Sequence, residues 1–202
     1  MANSKAENGL ISELKKNGHK YKDVDDIFRS KSLEPVEVNL ILKWLPKIYE
    51  EELGAGVILA QSLRLAKEPF DPNILIELFE ESSLNATVKS GIGYAIVLSK
   101  TGDISAWIKK RLLSKKVAFE NGALVRGLPG RGEFKNRDDL KQFLELIFPK
   151  YPIAVLETYD KIGSNDDVDF LLEQIKIADK KLSKEIEKTL KKILKREGIN
   201  KQ

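Results

Sequence analysis

Apolar positions recur along this chain at helical spacing. Ile74, Leu75, Leu78 and Phe79 follow an i, i+1, i+4, i+5 pattern, and Asp71-Pro72 just ahead supplies an N-cap with proline at the first helical position. The stripe returns as Leu84, Val88, Ile92 and Ile96, then as Ile104, Trp107 and Ile108, then as Leu140, Phe143, Leu144 and Ile147. Three more follow: Val155, Leu156, Tyr159 and Ile162; Val168, Leu171, Leu172 and Ile175; and Leu182, Ile186, Leu190 and Ile193. No segment sustains period-2 alternation, so the pattern predicts essentially no sheet. The helix over 85–98 is apolar nearly all round, including Tyr94, Val97 and Leu98, as suits an element sandwiched between neighbours. The last helix instead carries one narrow stripe, with Lys184, Lys188, Lys191, Lys192 and Lys195 coating the rest.

The helices come in pairs at regular intervals, which makes internal repetition the first thing to weigh. Gly56-Val57 and Gly91-Ile92 are offset by 35 residues, while Ile76 and Ile108, like Ala154 and Ile186, are offset by 32. The connections "KTGD" (100–103) and "IGSNDD" (162–167) each end one helix on glycine and start the next with a polar cap. Short turns of this kind force neighbouring helices antiparallel.

The segment "LNATVKSGIGYAIVLSKTGDISAWIKKRLL" (84–113) resembles a HEAT repeat in its polar start, Val-Lys pair, small residues, Ala-Ile core pair and Gly-Asp turn. Residues 153–194 have the same layout, and the resemblance spans roughly 53–196. It departs in lacking the arginine typical of such repeats and in the irregular stretches 1–52 and 116–136. The resemblance implies an all-α fold, an α-α superhelix of antiparallel helical hairpins with about ten helices, whose concave face binds a protein or nucleic acid. Within a single repeat domain over 1–202, this places N-terminal helices at 1–52, repeats at 53–115, an irregular insertion loop at 116–136 and further repeats at 137–198.

Composition narrows the class of protein. Of 202 residues, 42% are hydrophobic and 33% charged, the signature of a folded chain, and no apolar run approaches the length of a membrane span. The start "MANSKAENGL" shows no basic region followed by an apolar one, and there are no cysteines, so disulfides, thiolate metal sites and cysteine nucleophiles are excluded. A cytoplasmic location is the default expectation. The net charge of +4 is unevenly spread. Residues 109–137 hold nine Lys or Arg against Glu120 and Glu133, and residues 176–202 hold ten against four acids. The remainder is acidic, with Glu50, Glu51, Glu52, Glu77, Glu80 and Glu81 prominent.

Catalytic motifs are thin. His19 is the sole histidine and lies in the polar stretch "NGHKYKD", which reads as surface. "SNDDVDF" (164–170) lacks the glycine and glutamate of a calcium loop and reads as a helix cap, with Asn165 or Asp166 capping. The glycine-rich "VRGLPGRGEFKNR" (125–137) lacks the Lys-Ser/Thr and the preceding strand of a phosphate loop. Asp138 and Asp139 in the following helix's first turn would also occupy the positive helix end that a phosphate needs. This stretch nonetheless gathers Arg126, Arg131 and Arg137, three of the chain's seven arginines, the residues suited to bidentate contacts.

The expected function is therefore a non-enzymatic scaffold binding a macromolecular partner, most simply a protein, through a solenoid face. The sequence assigns no catalytic residue, metal or cofactor, and no membrane partner. The alternative is a nucleic-acid-binding protein using the basic 109–137 zone and the C-terminal lysines. The contact residues would be Lys109, Lys110, Arg126, Arg131, Lys135 and Arg137. A third reading, a glycosylase of the HEAT-like alkylpurine DNA glycosylase kind, would need clustered aromatic residues, whereas Trp44 and Trp107 read as packing.

Overall fold

A computed structural model describes residues 3–81 and 83–198. Among these there are twelve α-helices, four short 3-10 turns and no strand, only two isolated bridge pairs, Leu33 with Ala66 and Phe70 with Lys100. The chain divides into two compact units, Met1–Asp103 and Ile104–Gln202.

The first unit holds α1 (Lys5–Lys16), α2 (Val24–Phe28), α3 (Pro35–Glu51), α4 (Leu53–Ser62), α5 (Asn73–Glu80) and α6 (Ala86–Leu98). Each start has a local cause. Ser4 accepts the Glu7 N–H at 3.1 Å, Asp23 the Asp26 N–H at 2.8 Å and Asn85 the Val88 N–H at 3.0 Å. Pro35 opens α3 behind a Glu34/Glu37 capping box. At α5, Asp71 accepts the Asn73 N–H at 3.0 Å, but Pro72 takes the N-cap position and the helix begins at Asn73, so the expected cap sits one residue ahead of the N-cap. Packing then follows a ladder: α3 lies against α1 and α4, α4 against α2 and α6, and α5 against α6 and α3. Leu10, Leu14, Ile41, Leu45, Ile48 and Leu59 are fully buried in this core. The all-round apolar helix is α6, although Tyr94 stands exposed on it.

The second unit holds α7 (Ser105–Leu113), α8 (Asn121–Gly127), α9 (Arg137–Ile147), α10 (Pro152–Ile162), α11 (Val168–Ile177) and α12 (Lys180–Arg196). Helix α10 packs against α8, α9 and α12, with α11 on α12 and α7 on α8. The stretch 116–136, expected as an irregular loop, is instead largely helical: α8 is followed by 3-10 turns at Leu128–Gly130 and Gly132–Phe134. Burial explains this, since Ala123, Leu124, Val125 and Leu128 face the core. Seven residues are too few to show a repeated stripe, and Gly122 and Gly127 mimic breaks. Helix α7 ends at Leu113, where Ser114 leaves helical backbone and the Lys150 ammonium donates to the open carbonyls of Leu113 and Ser114 at 2.9 and 3.0 Å.

The end of α10 concentrates the polar bonding. Arg137 donates to Ile162 O and Ser164 Oγ, both at 2.9 Å, and pairs with the buried Asp167. Arg196 of α12 donates to Asp160 O at 2.9 Å, Lys161 O at 3.2 Å and Gly163 O. Two guanidinium groups thus satisfy the carbonyls that the helix leaves open, at its negative end. Ser164 and Asp167 form the capping box there, in place of the expected Asn165 or Asp166. The two glycine turns differ in kind. Lys100 and Gly102 adopt φ of 54° and 69°, whereas Gly163 keeps an ordinary φ of −58°.

Candidate functional site

The six residues expected to contact a partner all lie in the second unit, and the structure gives them different surroundings. Lys109 and Lys110 are exposed on α7, and the Lys109 ammonium lies 5.8 Å from the centre of the Phe134 ring. Lys135 is exposed after the second 3-10 turn. The arginines are engaged internally. Arg126 of α8 pairs with Glu157 of α10. Arg137 pairs with Asp167. Arg131 is fully buried, its Nε 2.8 Å from Glu133 Oε1, and that same oxygen accepts the Ile104 N–H at 3.2 Å. The loop collects arginine because three ion pairs hold its turns and helices together.

The C-terminal lysines divide similarly. Lys192 pairs with Asp160, Lys188 with Glu185 at 2.7 Å and Lys176 with Glu173 at 2.5 Å, the last two along their own helices. Lys201 lies outside the described residues.

The first unit contains two arrangements that the sequence did not reveal. Glu37, only 2% exposed, accepts the Tyr21 O–H at 2.6 Å on Oε1 and the Glu34 N–H at 2.7 Å on Oε2. His19 Nδ1 is 3.1 Å from Oε1, and its ring stacks on Tyr21. Burial, and then the bond to Glu37, push the Tyr21 hydroxyl up to about 12. His19 is therefore half-buried on a carboxylate and not the free surface residue that its polar neighbours suggested. Both Glu37 oxygens are occupied in tying the 17–23 turn to the start of α3, which is a structural task.

The second arrangement is an open groove of about 490 Å³. Its apolar lining comes from Pro46, Tyr49 and Leu53 on one side and from Ile74, Leu78 and Leu84 on the other. Glu50, Glu77 and Glu81 stand among them. Glu50 and Glu77 are exposed and have no ion-pair partner among the described residues. Tyr49 is buried, and its hydroxyl has no hydrogen-bond partner among the described residues. The sequence showed these glutamates as an acidic excess, but nothing in it placed 46–53 beside 74–84. The α3–α5 contact does that.

Glu7 adds a charge effect in the first turn of α1. Its buried carboxylate accepts the Val24 N–H at 3.0 Å, yet burial, with Glu52 and Asp23 adding repulsion, raises its pKa. An acid whose folded pKa is raised opposes folding above that pKa and stops doing so once protonated. Glu7→Gln is therefore expected to match or exceed wild-type stability at pH 7, with its advantage shrinking as the pH falls through the carboxylate range. Urea midpoints of both proteins at pH 7 and pH 4.5 test this. A variant weaker than wild type at pH 7 contradicts it.

No group of three or more His, Cys, Asp or Glu among the described residues is arranged to hold a metal ion, and no helix is long and apolar enough to cross a membrane. Trp44 packs edge-on against Gly9 with the ammonium groups of Lys43 and Lys47 5.8 and 5.3 Å from its ring, as a packing tryptophan would. No protein-family model, curated protein or solved structure matches this chain.

Proposed function

We propose that the protein is a non-enzymatic helical scaffold of the α-α superhelical, HEAT-like kind that binds a protein partner. The groove between α3 and α5 carries this reading: a concave apolar surface edged by Glu50 and Glu77, neither with an ion-pair partner among the described residues, is suited to a partner side chain. Within each unit the packing of a helix on the one two places along supports the repeat reading, since stacked hairpins bury their apolar faces that way. The partner segment that fits is an amphipathic helix whose apolar face is flanked by lysine or arginine, with Glu50 and Glu77 supplying steering and register.

The test uses two synthetic amphipathic helices of equal length, one Leu/Lys and one Leu/Glu, titrated into the isotopically labelled full chain. The Leu/Lys peptide is expected to shift the amides of Glu50, Leu53, Glu77 and Leu78 and to bind about tenfold more tightly, from two favourable rim pairs of about 0.7 kcal/mol each. Glu50→Lys/Glu77→Lys should reverse the preference. Shifts that avoid the groove, or a preference unaltered by the reversal, would sink the proposal. The nucleic-acid alternative loses three arginine forks to internal pairs and rests on lysines alone.

A further inference from the structure

A separate surface on the second unit is built from the opposite chemistry. Leu113 at the end of α7 and Val117 and Phe119 in the connection to α8 are 42%, 54% and 72% exposed. The same stretch of chain carries Lys109, Lys110, Lys115 and Lys116, all exposed and none with an ion-pair partner among the described residues. Lys109 and Lys110 lie one turn before Leu113, on the side of α7 that Leu113 shares. Lys150 brings a fifth ammonium to the same end of α7 through its bonds to the Leu113 and Ser114 carbonyls. Glu120 is the acid next to the segment in sequence.

The exposure is not that of a loose loop. Ser114 Oγ donates to Lys116 O at 3.0 Å, and the N–H groups of Asn121 and Gly122 donate to Ala118 O and Phe119 O, each at 3.1 Å. Asn121, buried, anchors the far end by donating to Tyr151 Oη at 2.9 Å. The backbone therefore holds Val117 and Phe119 out in water directly after Lys115 and Lys116, an arrangement that raises the free energy of the isolated protein and is relieved only by something that covers it.

We propose that this segment docks on an anionic lipid surface, with Val117 and Phe119 entering the headgroup boundary and the lysines meeting the lipid phosphates and carboxylates. Charge complementarity selects an anionic occupant. The aliphatic content selects lipid over nucleic acid, because bases stack on aromatic faces but gain little from Leu113 or Val117. The arginines that would grip a nucleic-acid backbone are engaged elsewhere in the unit. The expectation of no membrane partner rested on the lack of a spanning segment, which a surface contact does not need.

Vesicle co-sedimentation of the full chain tests this, with neutral phosphatidylcholine against phosphatidylcholine containing about one third phosphatidylserine. Binding is expected only to the anionic vesicles and should weaken with added salt. At about fivefold per basic residue near the surface, Lys115→Glu/Lys116→Glu should lower the partition coefficient about 25-fold or more. Phe119→Ser should lower it about tenfold. The control reverses two exposed lysines of α12, Lys184→Glu/Lys188→Glu, which changes net charge equally and should leave binding within about twofold. Circular dichroism melts confirm that each variant folds. Four outcomes overturn the proposal: no binding to either vesicle, equal binding to both, equal loss in the α12 control, or retardation of duplex DNA or capture of an acidic peptide through Lys115 and Lys116 without vesicle binding.

Discussion

Replacing Arg131 with alanine is expected to destabilise the second unit by about 3–5 kcal/mol, a large share of the roughly 5–15 kcal/mol that holds a domain folded. Arg131 is fully buried, the largest side chain so placed, and sits between the two 3-10 turns that follow α8. Its Nε meets Glu133 Oε1 at 2.8 Å, and that oxygen also accepts the Ile104 N–H at 3.2 Å just before α7. Removal leaves a nearly buried carboxylate without its cation and a void of arginine size, and the two penalties add. Neutralising both partners is milder: Arg131→Met/Glu133→Gln keeps volume and an acceptor for Ile104, and should recover at least half of the loss. Urea unfolding followed by circular dichroism measures all three proteins. A single variant within about 1 kcal/mol of wild type would show that the guanidinium is dispensable to the fold.

The groove gives the clearest view of what the sequence could and could not disclose. Helical stripes at 140–147 and 182–193 were legible because each runs long enough to repeat its period, and that at 74–79 because Asp71-Pro72 marks its start; Leu75, Phe79, Leu144, Ile147, Ile186 and Ile193 are buried as the period requires. The α9 start was legible for the same local reason: Asn136 accepts the N–H groups of Asp138 and Asp139 at 3.0 and 3.4 Å. Helix α8 was hidden because a seven-residue helix takes its stability from Leu124 and Val125 meeting the core, which is tertiary information. The arginines of 126–137 were visible as an anomaly but not as ion pairs, since Glu157 and Asp167 lie about thirty residues further on. Glu50 and Glu77 likewise become one site only when α5 is laid against α3. Local periodicity and capping are written in neighbours along the chain, whereas charge pairing and concavity are written in neighbours across the fold.

Gly163→Ala should destabilise by roughly 3 kcal/mol, the upper part of the range for forcing atoms into a packed interior. The turn "IGSNDD" looks like a glycine-terminated helix, which suggests a left-handed residue, yet the φ of −58° and ψ of 147° at Gly163 suit any residue. Space is the reason for glycine. A Cβ there would stand 2.6 Å from Tyr159 O, 2.7 Å from Ile193 Cδ1 and 3.0 Å from Ile193 Cγ1. The carbonyl cannot withdraw, because it accepts the Gly163 N–H at 2.7 Å at the end of α10. Ile193 has nowhere to go, being fully buried on α12. Gly130→Ala provides the comparison: a Cβ there meets nothing within 4 Å, so the change should be neutral or stabilising by up to about 1 kcal/mol through the unfolded chain. Thermal or urea melts of the two variants separate the explanations. If conformational freedom were what glycine supplies, both would behave alike. If it is room for α12 to close on α10, only Gly163→Ala will be weak, and adding Ile193→Val will restore little, because the Tyr159 carbonyl still blocks the methyl group.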